Sequence, residues 1–192
     1  MIPYGTFTFF LIAFIVLIPV IILGFLGKRS YIYNGISTAI MIVLIFSSDK
    51  HNLLGQKYLS VQLLSFIIYV IWQVALIMFY YKSRQKNNTF AKFTTVMVLS
   101  ILPLAIVKIL QSSWLGGHQI HFHESKLIEF VGFLGISYVT FKSVQLIMEI
   151  RDGSIKEIKV WKLIQFISFF PTISSGPIDR YKRFVKIGRA HV

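Results

Sequence analysis

The first charged side chain in this sequence is Lys28. Everything from Phe7 to Leu26 is uncharged and almost wholly apolar. About 20 such residues are what an α-helix needs to cross a hydrocarbon core of about 30 Å, at 1.5 Å per residue. Backbone N–H and C=O groups inside that core find no water, so they must pair within the segment, and a helix does this. A secretory signal would carry a basic start, a shorter core and a small-residue cleavage site. None is evident and further apolar runs follow, so this one reads as a retained helix.

Four more runs repeat the pattern. Residues 31–46 form a slightly short one, ending at Ser47-Ser48-Asp49-Lys50. The clearest extends from Tyr58 to Tyr81. A fourth covers Thr94 to Leu110 and contains Pro103, which removes a backbone donor and predicts a kink. A fifth covers Leu127 to Ile150. A shorter stretch, Trp161 to Phe170, stops at Pro171 and at about ten residues cannot span, so it reads as a re-entrant or half helix. The predicted fold class is therefore an all-α polytopic membrane protein with five transmembrane helices plus a half helix. Composition agrees. Hydrophobic residues make up 55% and charged ones 14%, against about 45–50% and about 25% in soluble domains. No internal repeat or soluble domain is evident.

The net charge of +13 would suggest nucleic acid for a soluble protein. In a membrane chain the same residues set orientation, and no nucleic-acid partner is implied. Lys28-Arg29, then Lys82, Arg84, Lys86 and Lys92, then Arg151, Lys156 and Lys159 fall in alternate loops. Those loops are expected in the cytoplasm, with the amino terminus outside the cell membrane. The loop holding Asp49, Lys50 and Lys57 is a weaker vote, and Gln111 to Ser125 is expected to face outward. The absence of cysteine excludes disulfides, thiolate metal sites and cysteine nucleophiles.

Three places carry candidate chemistry. On the fifth run, Tyr138, Lys142, Gln145, Glu149 and Asp152 recur at steps of three and four, which puts them on one helix face. A charge at membrane depth must face protein or a water-filled cavity. Lys142 thus either snorkels, pairs with Glu149 as packing glue, or belongs with its neighbours to the wall of a substrate cavity. Glu129 is expected at the interface. The outer loop, with His118, His121, His123 and Glu124, resembles a zinc-ligand spacing. It names no partner for the imidazoles, and a solvated loop with no metal is the reading adopted for it. His51 is a lone loop histidine.

The densest signal is Ser168-Phe169-Phe170-Pro171-Thr172-Ile173-Ser174-Ser175-Gly176-Pro177-Ile178-Asp179. Prolines, a glycine and hydroxyl residues interrupt an apolar helix there. Irregular backbone at membrane depth is tolerated only when buried in protein or lining a cavity. Pro171, Ser174, Ser175, Gly176 and Pro177 are therefore cavity candidates. Arg180-Tyr181-Lys182-Arg183-Phe184-Val185-Lys186 follows, a basic strip interleaved with aromatics. Arg180, Lys182 and Arg183 are its candidate contacts, either to anionic lipid head groups or to an acidic protein.

Gly135-Ile136-Ser137-Tyr138-Val139-Thr140-Phe141-Lys142, followed by Phe169-Phe170-Pro171 and Ser175-Gly176-Pro177-Ile178-Asp179-Arg180, resembles the membrane-bound O-acyltransferase family. The likeness is greatest to its members in D-alanylation of lipoteichoic acid. It covers residues 1–186, the amino-terminal part of such a protein and of its larger helical fold, and leaves 187–192 as a non-native tail. The resemblance implies transfer of D-alanine from the phosphopantetheine thioester of a small acidic cytoplasmic carrier protein, across the membrane, toward lipoteichoic acid. No cofactor is bound by the enzyme itself. Other proteins of the D-alanylation pathway are implied partners. A histidine on a later helix would serve as general base, and none of the histidines here occupies its place. The chain is thus expected to be an amino-terminal fragment, inactive alone. Two other readings stand beside it. One is a transporter or channel segment with a broken-helix substrate site; the other is a non-catalytic scaffold subunit.

Overall fold

The computed structural model describes residues 7–26, 31–47, 57–86, 89–111, 135–155, 157–173 and 180–187. Among them all regular structure is helical: α1 (Phe7–Phe25), α2 (Tyr31–Ser47), α3 (Lys57–Lys86), α4 (Phe90–Gln111), α5 (Ile136–Arg151), α6 (Val160–Ser168), a 3₁₀ turn (Phe170–Thr172) and α7 (Tyr181–Ile187). Two of these helices, α3 over Gln62–Lys86 and α4 over Phe90–Ile109, are long and apolar enough to cross a membrane. The apolar runs of α1 and α2 are shorter, Phe10–Leu23 and Ile32–Phe46. The helix of the fifth run begins at Ile136, and 127–134 lie outside the described residues. The short run before Pro171 is helical, as expected, over nine residues.

α3 is the spine, packing against α2, α4, α5 and α6, while α1 lies on α2 and α7 on α6. Where α3, α5 and α6 meet, Ile77, Leu146, Ile147, Ile150, Leu163 and Ile167 are fully buried. The outward faces are equally apolar. Ile67, Ile68, Ile71 and Phe79 of α3 and Val98, Leu102, Ile106 and Ile109 of α4 are exposed. The interior meanwhile holds Gln73, Ser100, Thr140, Lys142 and Ser143. Helices that are oily all round, with polar groups turned inward, suit hydrocarbon rather than water as surroundings. This is a membrane protein.

Local sequence explains how the helices end and approach. α4 continues through Pro103. A proline cannot donate to the carbonyl four residues earlier, which here is Leu99, and the indole Nε1 of Trp72 on α3 donates to that oxygen over 3.5 Å. A neighbouring helix thus answers the missing donor, as membrane packing allows. α5 closes with Gly153 at φ +75°; Gly153 N donates to Ile150 O and Ser154 N to Glu149 O, both at 3.1 Å. That paired closure needs a left-handed residue after the last turn, and glycine adopts it without strain. On α2, Gly35 lets α6 come close: a Cβ there would stand 3.0 Å from Cζ2 of Trp161.

Candidate functional site

The sequence break after α6 is held from the side by α5. A helix leaves its last carbonyls without intrahelical donors, and Pro171 has no N–H to offer Ile167. Lys142 takes that part. Its Nζ donates to Phe166 O at 3.4 Å, to Ile167 O at 3.5 Å and to Thr172 Oγ1 at 2.5 Å, and lies 5.9 Å from the centroid of the Phe166 ring. A cation at the carboxyl end of a helix is also favoured by the helix dipole. The Thr172 hydroxyl in turn donates to Phe169 O at 3.1 Å, so the ammonium meets its lone pairs. Lys142 is 2% exposed and its nitrogen turns inward to these acceptors.

The start of α5 grips the same segment. Gly135 has φ +92°, and a Cβ on it would fall 2.6 Å from both the carbonyl oxygen and Cγ2 of Ile173. Phe169 to Ile173 is therefore fixed twice, by Gly135 backbone contact and by the Lys142 ammonium, before the chain enters Ser174-Ser175-Gly176-Pro177. Those four candidates lie outside the described residues. Of the others, Pro171 is exposed, Tyr138, Gln145 and Glu149 are half-buried, and Asp152 is exposed. Both carboxylate oxygens of Glu149 are shielded from solvent.

The basic strip sorts by side. Arg180, Lys182 and Arg183 are exposed, whereas Tyr181 is buried. Phe166 meets the rings of Tyr181 at 5.4 Å and Phe184 at 5.5 Å, and Phe169 meets Phe184 at 5.5 Å. Edge-to-face rings at these distances pack favourably. α7 is thereby pressed onto α6 with its cations outward. Burial pushes the Tyr181 phenol above its ordinary value, partly offset by a hydrogen bond with the Lys159 backbone.

A second polar cluster was not singled out from sequence. Thr140 Oγ1 donates to Ile136 O at 2.7 Å, so the 2.6 Å contact with Tyr69 is donated by the phenol. The amide nitrogen of Gln73 gives one hydrogen to Tyr69 Oη at 2.9 Å and the other to Ser100 O at 3.0 Å. Ser100 Oγ donates back to Gln73 Oε1 at 2.7 Å. Every proton has an acceptor, and α3, α4 and α5 are tied together. The signal in sequence was Gln73, an amide in the middle of a long apolar run.

Among the described residues no group of three His, Asp or Glu side chains converges as a metal site. His51, His118, His121, His123 and His191 all lie outside the described residues.

No protein-family model matches the chain. It is 48% identical over 187 residues to a teichoic acid D-alanyltransferase of Bacillus subtilis (strain 168), a match taking in 97% of this chain and 44% of that protein. Proteins of the same name from Lacticaseibacillus rhamnosus and Streptococcus thermophilus are 42% and 34% identical, over 96% and 95% of this chain and 41% and 39% of theirs. The resemblance noted in the motifs thus extends along nearly all of the chain. The chain spans about two-fifths of the length of the curated relatives it matches.

Proposed function

We propose that this chain works in a membrane acyltransferase that D-alanylates teichoic acid, supplying membrane helices and the clamped turn beside the transfer path. The observation that carries the reading is the 97% coverage at 48% identity, which takes in α5, the broken helix and its clamp. In such a reaction the thioester C–S bond of the donor breaks and an ester C–O bond to a hydroxyl of the acceptor forms. The donor is D-alanine on the phosphopantetheine of an acidic carrier protein, and the acceptor is lipoteichoic acid. The general base is a histidine from outside the described helices.

On this reading α1 to α4 and the fifth run, 127–150, cross the cell membrane, with α6 as a half helix. The basic loops face the cytoplasm and the amino terminus faces out, following the distribution of Lys and Arg. Tyr138, Lys142, Gln145 and Glu149, with Pro171 and Ser174 to Pro177, border the path that the acyl group takes. The outward cations Arg180, Lys182 and Arg183 meet the acidic carrier or the lipid head groups next to it.

The test uses the full-length protein in cells. Gly176→Val restricts the backbone of the turn, and is expected to lower the D-alanine ester content of teichoic acid severalfold. Wild-type ester content at normal expression would remove the turn from the reaction.

A further inference from the structure

Three donor groups converge where α3 ends, α4 begins and α5 ends, and none has an acceptor among the described residues. Tyr80 is 2% exposed, and its hydroxyl is buried without a hydrogen bond. It lies within electrostatic reach of Arg84, Arg151 and Asp152. One turn on, the guanidinium of Arg84 rests over the carboxyl end of α5, with its Nε buried and unbonded. Gly153 makes the room, since a Cβ there would stand 3.1 Å from Arg84 Nη2. Arg151 lays its guanidinium over the rings of Phe93, at 4.3 Å, and Phe90, at 5.4 Å. The rings hold its face and leave its N–H edge open. Asp152 is exposed and forms no ion pair with either arginine.

Basic residues at a helix end need no more than water, and orientation alone accounts for Lys82 and Lys86. It does not account for a hydroxyl and a guanidinium nitrogen that water does not reach, because buried donors are as a rule paired. Two guanidiniums with open edges match the oxygens of a phosphate, which accept in parallel pairs. The level is right as well. The apolar run of α3 gives way to Lys82, Arg84 and Lys86 at this point, where head groups of a bilayer lie.

We propose that this corner binds a phosphate group, with Tyr80 Oη, Arg84 and Arg151 as its donors. The phosphate comes either from an anionic phospholipid head group or from solution. The flexible Arg84 stem is the movable wall that admits it, and the stacked Arg151 is the fixed one.

The full-length protein is purified in dodecyl maltoside, which carries no phosphate, and is studied alone, with added phosphatidylglycerol, or with inorganic phosphate at constant ionic strength. The unfolding midpoint is read in each. Phosphatidylglycerol or phosphate is expected to raise the midpoint. A rise with the lipid alone identifies a head group; an equal rise with inorganic phosphate identifies a soluble source. R84Q and R151Q are expected to abolish the rise and Y80F to diminish it, while K86Q keeps it. Y80F is also expected to raise the midpoint in the phosphate-free detergent, where it removes an unpaired buried hydroxyl. Should R84Q not fold, R84K keeps the charge without the paired edge and is expected to retain only part of the rise. No rise with either phosphate source overturns the site. So does a loss in K86Q equal to that in R84Q, which would mean diffuse charge attraction.

Discussion

The ammonium of Lys142 and the hydroxyl of Thr172 meet at 2.5 Å across thirty residues of sequence. Through that contact the middle of α5 holds the turn that follows α6. The same ammonium covers the last carbonyls of α6, so one side chain replaces the donors that the break and Pro171 remove.

The tie has an asymmetric expectation. Thr172→Val leaves a buried charge with two long carbonyl contacts, and a hydrogen bond to a charged group is worth about 1.5–3 kcal/mol, so a loss at the upper end of that range is expected. Lys142→Met removes the charge together with its desolvation cost, so the loss is expected to be smaller, about 1–2 kcal/mol. Thermal unfolding in detergent micelles of both variants and of the double variant checks this. The double variant is expected to be more stable than Thr172→Val alone, and an additive loss would contradict the arrangement.

Gln73→Leu strands three groups at once: Ser100 O, Ser100 Oγ and one lone pair of Tyr69. Interhelical hydrogen bonds in membranes average about 0.6 kcal/mol and reach about 1.7, so a loss of about 1–3 kcal/mol is expected. Tyr69→Phe removes one bond to Thr140 and one from Gln73, and is expected to cost less than Gln73→Leu. Equilibrium unfolding in mild detergent ranks the two.

At Gly135 the left-handed backbone alone costs a non-glycine residue about 1–2 kcal/mol. The Ile173 backbone, 2.6 Å from a Cβ placed there, adds a clash that no side-chain rotation relieves. Gly135→Ala is expected to lower the yield of folded protein sharply, whereas Gly35→Ala only presses on the Trp161 ring at 3.0 Å and is expected to be mild. Size-exclusion profiles of the two proteins compare them directly.

Tyr181 supplies the pH dependence. Its folded pKa is raised from 10.0, so the folded state holds the proton more tightly than the unfolded one. The stabilisation is complete below pH 10 and is lost as pH rises through the folded value. Docking of α7 is expected to weaken only in that alkaline range. Tyr181→Phe is expected to flatten the midpoint-against-pH curve there, and at neutral pH to lower the midpoint only by the lost hydrogen bond to the Lys159 backbone.

If the outward cations at the start of α7 meet the acidic carrier, reversing Arg180, Lys182 and Arg183 to Glu is expected to weaken carrier binding by about tenfold or more at low salt, since charge pairs steer such encounters. A pull-down with full-length protein reads this, and unchanged binding would leave the strip to lipid head groups.

Length of apolar run and position of charge are local properties. They were enough to mark the apolar helices of 7–26, 31–46, 58–81 and 94–110 and the short helix before Pro171, while the likeness to an acyltransferase family rested on the motifs at 135–142, 169–171 and 175–180. They also marked Lys142 as a residue needing protein around it, since an ammonium among apolar neighbours has no other refuge. Its partner was not legible. Snorkelling and pairing with Glu149 both satisfy the helical spacing, and only the approach of α6 to α5 brings Phe166, Ile167 and Thr172 to the nitrogen.

The same limit hid the Tyr69, Gln73, Ser100 and Thr140 network, whose members are up to 71 residues apart. The sequence by itself determined that this chain forms oily helices with a few polar residues that must turn inward, because desolvation acts on each residue alone. Which polar groups meet, and that Gly135 and Gly153 must lack a Cβ where Ile173 and Arg84 press on them, was decided by the tertiary structure, because hydrogen bonds and close contacts belong to pairs.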